Sequence, residues 1–424
     1  MTRRRIVQGR RFGWIAVQLL VAVVLAVSYA RSTTAVGGPS SETAADHWQP
    51  ITVNRNSPLV VRPLYDDPTV ISDADLAAVL RRVLPRFAPE QLKPNFVEHA
   101  LRTWGIEMTF ADPRVMSGAS MRDFLLDHRR FAASWNGTVP PLLERSAHGL
   151  SIRWDARPGG SVHHDHLLAC LTEAGIHLNE PVFPPAHRGQ ADGKNPAVLE
   201  GFTFNDLIQQ ALADFRLDQR ETEWSAMAFS LWLAPQANSW ISDNRRRQSF
   251  DLMAQKLIRG REQLGVCSGT HRVYSLVLLL RLDDEYHILS APVRDEVRRQ
   301  LRLVRDQIVV SQFPDGHWPG NWPDGADAVA HPAKEAPYKS IIATGHHLEW
   351  LAIAPREFQP PRETIRRAAH WLVNSTKHCS PETMRKQYTF YSHVARALAL
   401  WRGTFPADFW RTWRTKHPGT PAGI

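Results

Sequence analysis

Trp224–Leu233 reads WSAMAFSLWL, a run with no charged side chain and no polar face. A helix of that composition has to be dry on every side. Immediately upstream, Phe204, Leu207, Ile208, Ala211, Leu212 and Phe215 recur at helical spacing among polar residues, the pattern of a helix wet on one side only. An outer, amphipathic helix is thus followed by an inner, apolar one. The contrast returns in Phe250, Met253 and Leu257 against Val273–Leu280. It returns again in Val293, Val297, Leu301, Val304 and Ile308 against Leu348–Ala354, and in Ile365, Ala369 and Leu372 against Phe390–Leu400. Weaker pairs precede these: Leu76–Leu84 with Phe96–Trp104, and Met121–Trp135 with His163–Ala174. Short connections make such helices antiparallel neighbours, and a run of hairpins curls into a ring or solenoid. The expected fold is all-α: an α/α toroid of about six helical hairpins over 71–412, with a short tail at 413–424.

The N-terminus carries a different signal. Arg3, Arg4, Arg5, Arg10 and Arg11 form a basic leader (1–11), followed by an apolar run, Trp14–Ala30, broken only by Gln18 and Ser28. Basic residues before an apolar stretch direct insertion with the N-terminus in the cytoplasm. Residues 12–30 therefore read as a transmembrane signal anchor or a signal peptide, and 31–70 as a flexible tether. The main domain is expected outside the cytoplasm, membrane-anchored or, if the leader is cleaved, secreted or periplasmic. The net charge of +9 does not argue for nucleic acid. Five of those charges sit in the leader, and Arg294, Arg298, Arg299, Arg302 and Arg305 occupy the solvated face of an outer helix. The membrane and a small-molecule, lipid or glycan ligand are the expected partners.

Candidate chemistry gathers where the inner helices are expected to begin, near His163, Glu221, Gly269, Gly345 and Tyr388. There the sequence places His163, His164, Asp165 and His166; Glu221, Glu223 and Trp224; Cys267 and His271; His346, His347 and Glu349; and Tyr388, Tyr391 and His393. Orphan backbone N–H groups and helix dipoles favour anionic ligands at such ends, and imidazoles exchange protons or bind metal. The candidate catalytic set is Cys267, His271, His346, His347, Glu349 and His393; Trp224, Trp318, Tyr388 and Tyr391 are candidate substrate-binding residues. Cofactor content stays open: zinc suits these residue types, but no complete ligand motif is present. With three cysteines, Cys170, Cys267 and Cys379, at least one thiol is free.

The segment Gln312-Phe313-Pro314-Asp315-Gly316-His317-Trp318 follows an outer helix and resembles the glutamine–tryptophan repeat of the terpenoid cyclase and protein prenyltransferase superfamily of α/α toroids. The resemblance implies that Gln312 bonds backbone at a neighbouring helix end, that Asp315-Gly316 makes the turn and that Trp318 fills the crevice. The superfamily's Asp-x-Asp-Asp acid motif is missing, and Gly265 stands where the zinc-dependent members carry an acidic ligand before Cys267. Three readings follow. One is a toroid whose His/Cys-rich rim pocket binds and transforms a small molecule, lipid or glycan. Another is a carbohydrate-active barrel using Glu221, Glu223 and Glu349 with exposed Trp135, Trp240, Trp318 and Trp322. The third is a noncatalytic scaffold for a protein partner.

Overall fold

The computed structural model describes residues 47–155, 157–185, 201–260 and 267–418. The chain divides into two units, 1–47 and 48–424, and the second holds nearly all of the described residues. The basic leader, the apolar segment 12–30 and the first part of the tether lie outside the described residues. No helix among the described residues is long and apolar enough to cross a membrane.

The second unit is mostly helical. Its helices are α1 (Asp73–Arg82), α2 (Pro94–Trp104), α3 (Gly118–Leu126), α4 (His128–Ser134), α5 (His166–Glu173), α6 (Phe204–Asp214), α7 (Glu223–Leu233) and α8 (Phe250–Arg259). They continue with α9 (Thr270–Tyr286), α10 (Ala291–Val310), α11 (Ala326–Ala330), α12 (Pro337–Ile353), α13 (Arg362–His378), α14 (Pro381–Lys386), α15 (Tyr388–Leu400) and α16 (Pro406–Lys416). Three antiparallel ribbons sit in the connections: β1 (Leu143–Ser146) with β2 (Gly149–Ile152), β3 (Pro181–Val182) with β4 (Phe202–Thr203), and β5 (Ser239–Ile241) with β6 (Arg247–Ser249). Their registers pair Leu143 with Ile152, Val182 with Phe202 and Trp240 with Gln248.

The wet/dry alternation is physical. Every residue of α7 is buried, whereas α10 buries only Val293, Val297, Leu301, Val304 and Ile308. The outer arginines of α10 are not simply solvated: Arg298 and Arg302 pair with Glu357, and Arg294 with Asp283. Helix starts follow local chemistry. Ser72, Ser117 and Ser249 accept from the third backbone N–H of α1, α3 and α8, and Thr203 with Asp206 forms a reciprocal capping box on α6. Asp127 breaks the expected Met121–Trp135 helix by capping α4.

Packing between inner helices is cyclic: α2 lies on α5, α5 on α7, α7 on α9, α9 on α12, α12 on α15, and α15 on α2. The outer helices back them, α3 against α2, α8 against α7 and α9, α10 against α9, α13 against α12 and α1 against α15. The stretch 48–70, expected as flexible tether, is instead a packed strap. Leu59, Leu64 and Asp67 donate backbone N–H to the carbonyls of Leu231, Ala352 and Trp401, and Arg55 donates to Leu231 and Trp232. These carbonyls end α7, α12 and α15, where four C=O groups per helix have no intrahelical partner. The strap supplies donors, and Ile51, Val53, Leu59 and Tyr65 pack on the core beneath it. At the other terminus α16 continues to Lys416, past the expected tail boundary at 413.

The glutamine–tryptophan segment ties α10, α12 and α13 together. Gln312 Nε2 donates to the Gly316 and Thr364 carbonyls, both at 2.8 Å, and its Oε1 accepts from Arg367. Gly316 has φ +107°, and a Cβ there would lie 2.4 Å from the Arg367 carbonyl, so only glycine makes this turn. Trp318 is fully buried, its Nε1 donating to Ile308 O at 2.6 Å. Gln312→Ala strands two buried carbonyls; we expect a loss of about 1–3 kcal/mol in denaturant unfolding. An unchanged midpoint would remove this tie from the account.

Candidate active site

Six histidines from the inner helices and the turns before them converge. His99 stands 4.7 Å from His166 and 4.9 Å from His393, ring centre to ring centre. His346 lies 3.9 Å from His393 and 4.4 Å from His271, and His163 is 5.7 Å from His166. Trp224 fills the space between, 4.3 Å from both His166 and His271. A cavity of about 350 Å3 opens onto His99, His163, Cys267, His271, His346 and His393. Its outer wall includes Lys93, Arg157 and Lys386.

Local structure explains how each group arrives. Ser268 and Gly269 both take left-handed backbone (φ +49° and +77°), making the turn that puts Cys267 next to the first turn of α9. The sequence placed the start of an inner helix at Gly345. The helix begins at Pro337 instead, because proline is at home in the first helical position and Ile341 and Ile342 extend the apolar face. His346, His347 and Glu349 therefore sit in mid-helix, as does His393 one turn into α15, and no helix-terminus dipole acts on them. Close packing of α12 on α15 brings His346 and Glu349 against His393 and Arg396.

Beneath the imidazoles lies a buried charge lattice. Glu349 is fully buried; its Oε1 accepts from Arg102 and Arg396, each at 2.8 Å, and its Oε2 faces Nδ1 of His393 at 3.1 Å and of His346 at 3.3 Å. Arg102 also pairs with Glu173, and Arg396 reaches Glu173 Oε1 at 2.7 Å, where Tyr274 donates at 2.5 Å. Burial works to raise the Glu349 carboxyl, but Arg102 and the two imidazole hydrogen bonds outweigh it and hold it well below the usual range. A second carboxyl, Glu98, contacts His166 Nδ1, and burial pushes it up to about 8. Glu221 brackets His163 Nδ1 with both oxygens at 3.0 Å. Burial lowers His99, His166, His271, His346 and His393, helped for most of them by neighbouring imidazoles. These rings are neutral near pH 7. Burial likewise pushes the Cys267 thiol up.

Of the sequence candidates, Cys267, His271, His346, Glu349, His393 and Trp224 meet here. His347 does not: it faces the far side, 4.6 Å from the Trp322 ring and 5.1 Å from Trp318. Trp318 is core, not a ligand platform. Tyr388 donates to Val83 O and borders a separate groove of about 720 Å3 lined by Leu84, Phe87, Leu92 and Met384. Tyr391 is buried and does not line the histidine cavity. Trp135, Trp240, Trp318 and Trp322 are all buried, so none offers an exposed face to a sugar. Glu349, clamped by two arginines, has no free oxygen for acid catalysis. All three cysteines are free.

Sequence reasoning missed Glu98, His99, Arg102, Glu173, Tyr274 and Arg396. A signal existed: Glu98 and Arg102 sit four apart in the expected inner helix Phe96–Trp104, and Arg396 interrupts the apolar Val394–Leu400. A charge inside a dry helix needs a partner, and that rule points inward. The larger groove at Tyr388 is less suited to chemistry, since no cluster of buried ionisable groups faces it. No family model matches this sequence, and neither a curated protein nor a solved structure is significantly similar to it.

Proposed function

We propose that the chain is an α/α toroid whose histidine-lined rim cavity binds a small anionic molecule, a carboxylate or phosphate, and exchanges protons with it. The cyclic packing of the six inner helices supports the ring, and so does the resemblance at Gln312–Trp318. The observation that carries the ligand class is the composition of the cavity wall. Among the described residues it presents five histidines, Lys93, Arg157 and Lys386, and no carboxylate. Arg157 and Lys386 each have one surface acidic neighbour, Asp155 and Glu382, which an entering anion would compete with. Such exposed pairs are worth little and exchange readily.

His163 is the group best placed for proton transfer. Glu221 holds its Nδ1, so the ring's other nitrogen is available to a ligand in the cavity it lines. The anionic oxygens accept from Lys93, Arg157 and Lys386, and a hydroxyl on the ligand can donate to the neutral rings. With the N-terminal segment as anchor or signal, the toroid works outside the cytoplasm.

Thermal unfolding of the full chain in mild detergent tests the reading against small carboxylates, phosphate esters, and acidic and neutral sugars. We expect members of the anionic classes to raise the midpoint and neutral sugars to leave it unchanged. The double charge reversal Lys93→Glu/Arg157→Glu, confined to exposed positions, is expected to weaken the effective anion by at least about tenfold, about 1.4 kcal/mol. No stabilising anion, or one that ignores the reversal, would overturn the proposal.

A further inference from the structure

We propose that Cys267, His271 and His346 are the protein ligands of a zinc-class divalent metal ion whose fourth position opens to the cavity. This goes beyond the anion reading and stands without it, because it rests on donor geometry alone.

The three residues each present a donor atom, and these lie within 4.8 Å of one another. A zinc tetrahedron with bonds of about 2.0–2.3 Å has edges of roughly 3.3–3.7 Å, so small side-chain rotations close the set. The donors come from the turn before α9, from the first turn of α9 and from the neighbouring α12, an arrangement the helix packing holds in place.

A second observation points to a ligand rather than to packing. The Nε2 atoms of His271, His346 and His393 are buried and have no hydrogen-bond partner. Buried polar nitrogens are ordinarily satisfied, and three orphans around one cavity ask for a shared partner. For His346 the tautomer follows from Glu349. A carboxylate clamped by two arginines is ionised and can only accept, so Nδ1 carries the hydrogen and Nε2 presents its lone pair. Carboxylate support of the non-ligating imidazole nitrogen is the usual way a metal-binding histidine is oriented. Glu349 is thus a positioning residue, outside the coordination sphere. His393, held by the same Oε2, flanks the open position.

His347 marks the contrast. Its Nε2 is also unpartnered, yet its neighbours are the Trp318 and Trp322 rings, and it belongs to no group of converging donors among the described residues. One thiolate with two imidazoles selects a borderline ion over magnesium or calcium. Three protein ligands with an open fourth place are the mark of a working site rather than a structural one. Binding is balanced by one proton: the Cys267 S–H bond breaks, the sulfur–metal bond forms, and the proton goes to solvent. The lone pairs of His271 and His346 are donated without proton loss.

The test uses the full chain in mild detergent, stripped with chelator and titrated with cobalt(II) or zinc(II) alone. Expected are one ion per chain, release of about one proton per ion near neutral pH in calorimetry across buffers, and a near-ultraviolet thiolate-to-cobalt charge-transfer band with tetrahedral visible bands. Cys267→Ser should abolish the charge-transfer band, while Cys379→Ser, remote from the cluster, should keep it. Glu349→Gln should weaken binding by about 10–100-fold. Stoichiometric binding that keeps the charge-transfer band in Cys267→Ser, or a natively helical chain that binds neither ion, would overturn the proposal. The stoichiometry and the cysteine variants decide the matter even if the Glu349 variant fails to fold. The anion reading fails separately, through the unfolding assay with Lys93→Glu/Arg157→Glu.

Discussion

Replacing Glu349 by alanine should cost about 3–5 kcal/mol of folding stability, the usual penalty for removing one member of a buried ion lattice. Glu349 and Glu173 together neutralise Arg102 and Arg396, four side chains that are all nearly inaccessible to water. Without Glu349, two guanidinium groups share one carboxylate in a dry interior, and the Nδ1 hydrogen of His346 loses its acceptor. Against a total stability of roughly 5–15 kcal/mol, that is a large fraction. Denaturant midpoints of the full chain measure it. A cycle sharpens the argument: Glu349→Leu combined with Arg396→Leu leaves the Arg102–Glu173 pair balanced, so the double variant should lose clearly less than the two single losses combined. Strict additivity would show that the lattice does not act as a unit.

Acidification should unfold the metal-free protein before the pH reaches the ordinary carboxylate range. His99, His166, His271 and His393 are held well below their ordinary range by burial, His346 is lowered, and His347 is lowered to about 3. The folded state keeps these rings neutral, whereas the unfolded chain protonates them near pH 6.5. For a depressed folded pKa the stabilisation is complete above the unfolded value and is lost as pH falls towards the folded one. Each such ring contributes about 1.4 kcal/mol per pH unit over that window. Glu98, raised to about 8, and Glu223, raised by burial, act in the opposite sense, since the folded state keeps their protons longer. The histidines outnumber them, so stability should fall by several kcal/mol between pH 6.5 and pH 5. Glu349, held low, adds its own loss only below the ordinary glutamate range. Denaturant midpoints at pH 7.5, 6.5 and 5.5 test this, and a flat profile would mean that the imidazoles are hydrated. Bound metal should blunt the fall, because protons then compete with the ion.

Much of the helical framework was legible because hydrophobic periodicity is a local property. The contrast between Phe204–Phe215 and Trp224–Leu233 needs only adjacent residues, and α6 and α7 sit where it put them. The roles of Gln312 and Gly316 came from the resemblance at Gln312–Trp318, and the turn and the backbone bonds are both present. Boundaries fared less well. The start of α12 was misplaced by eight residues, since Pro337 and Ile341 continue a pattern that Gly345 seemed to open. The strap at 48–70 was hidden by its composition: its order comes from carbonyls at the ends of helices that lie far along the chain.

The site was half legible. Its histidines stood out by their crowding near expected inner-helix starts, but the reason offered for them, helix dipoles, does not apply to His346 or His393. Local sequence was enough to specify dry helices, their alternation with wet ones, and the presence of imidazoles and a thiol on the dry set. Which of those groups meet depended on tertiary packing. Arg102 and Glu349 are 247 residues apart, and only the contact of α15 with both α2 and α12 brings them together. The same packing turns His347 away from the cavity while His346, one residue before it, faces in, because successive helix positions differ by about 100° and only one face can point inward.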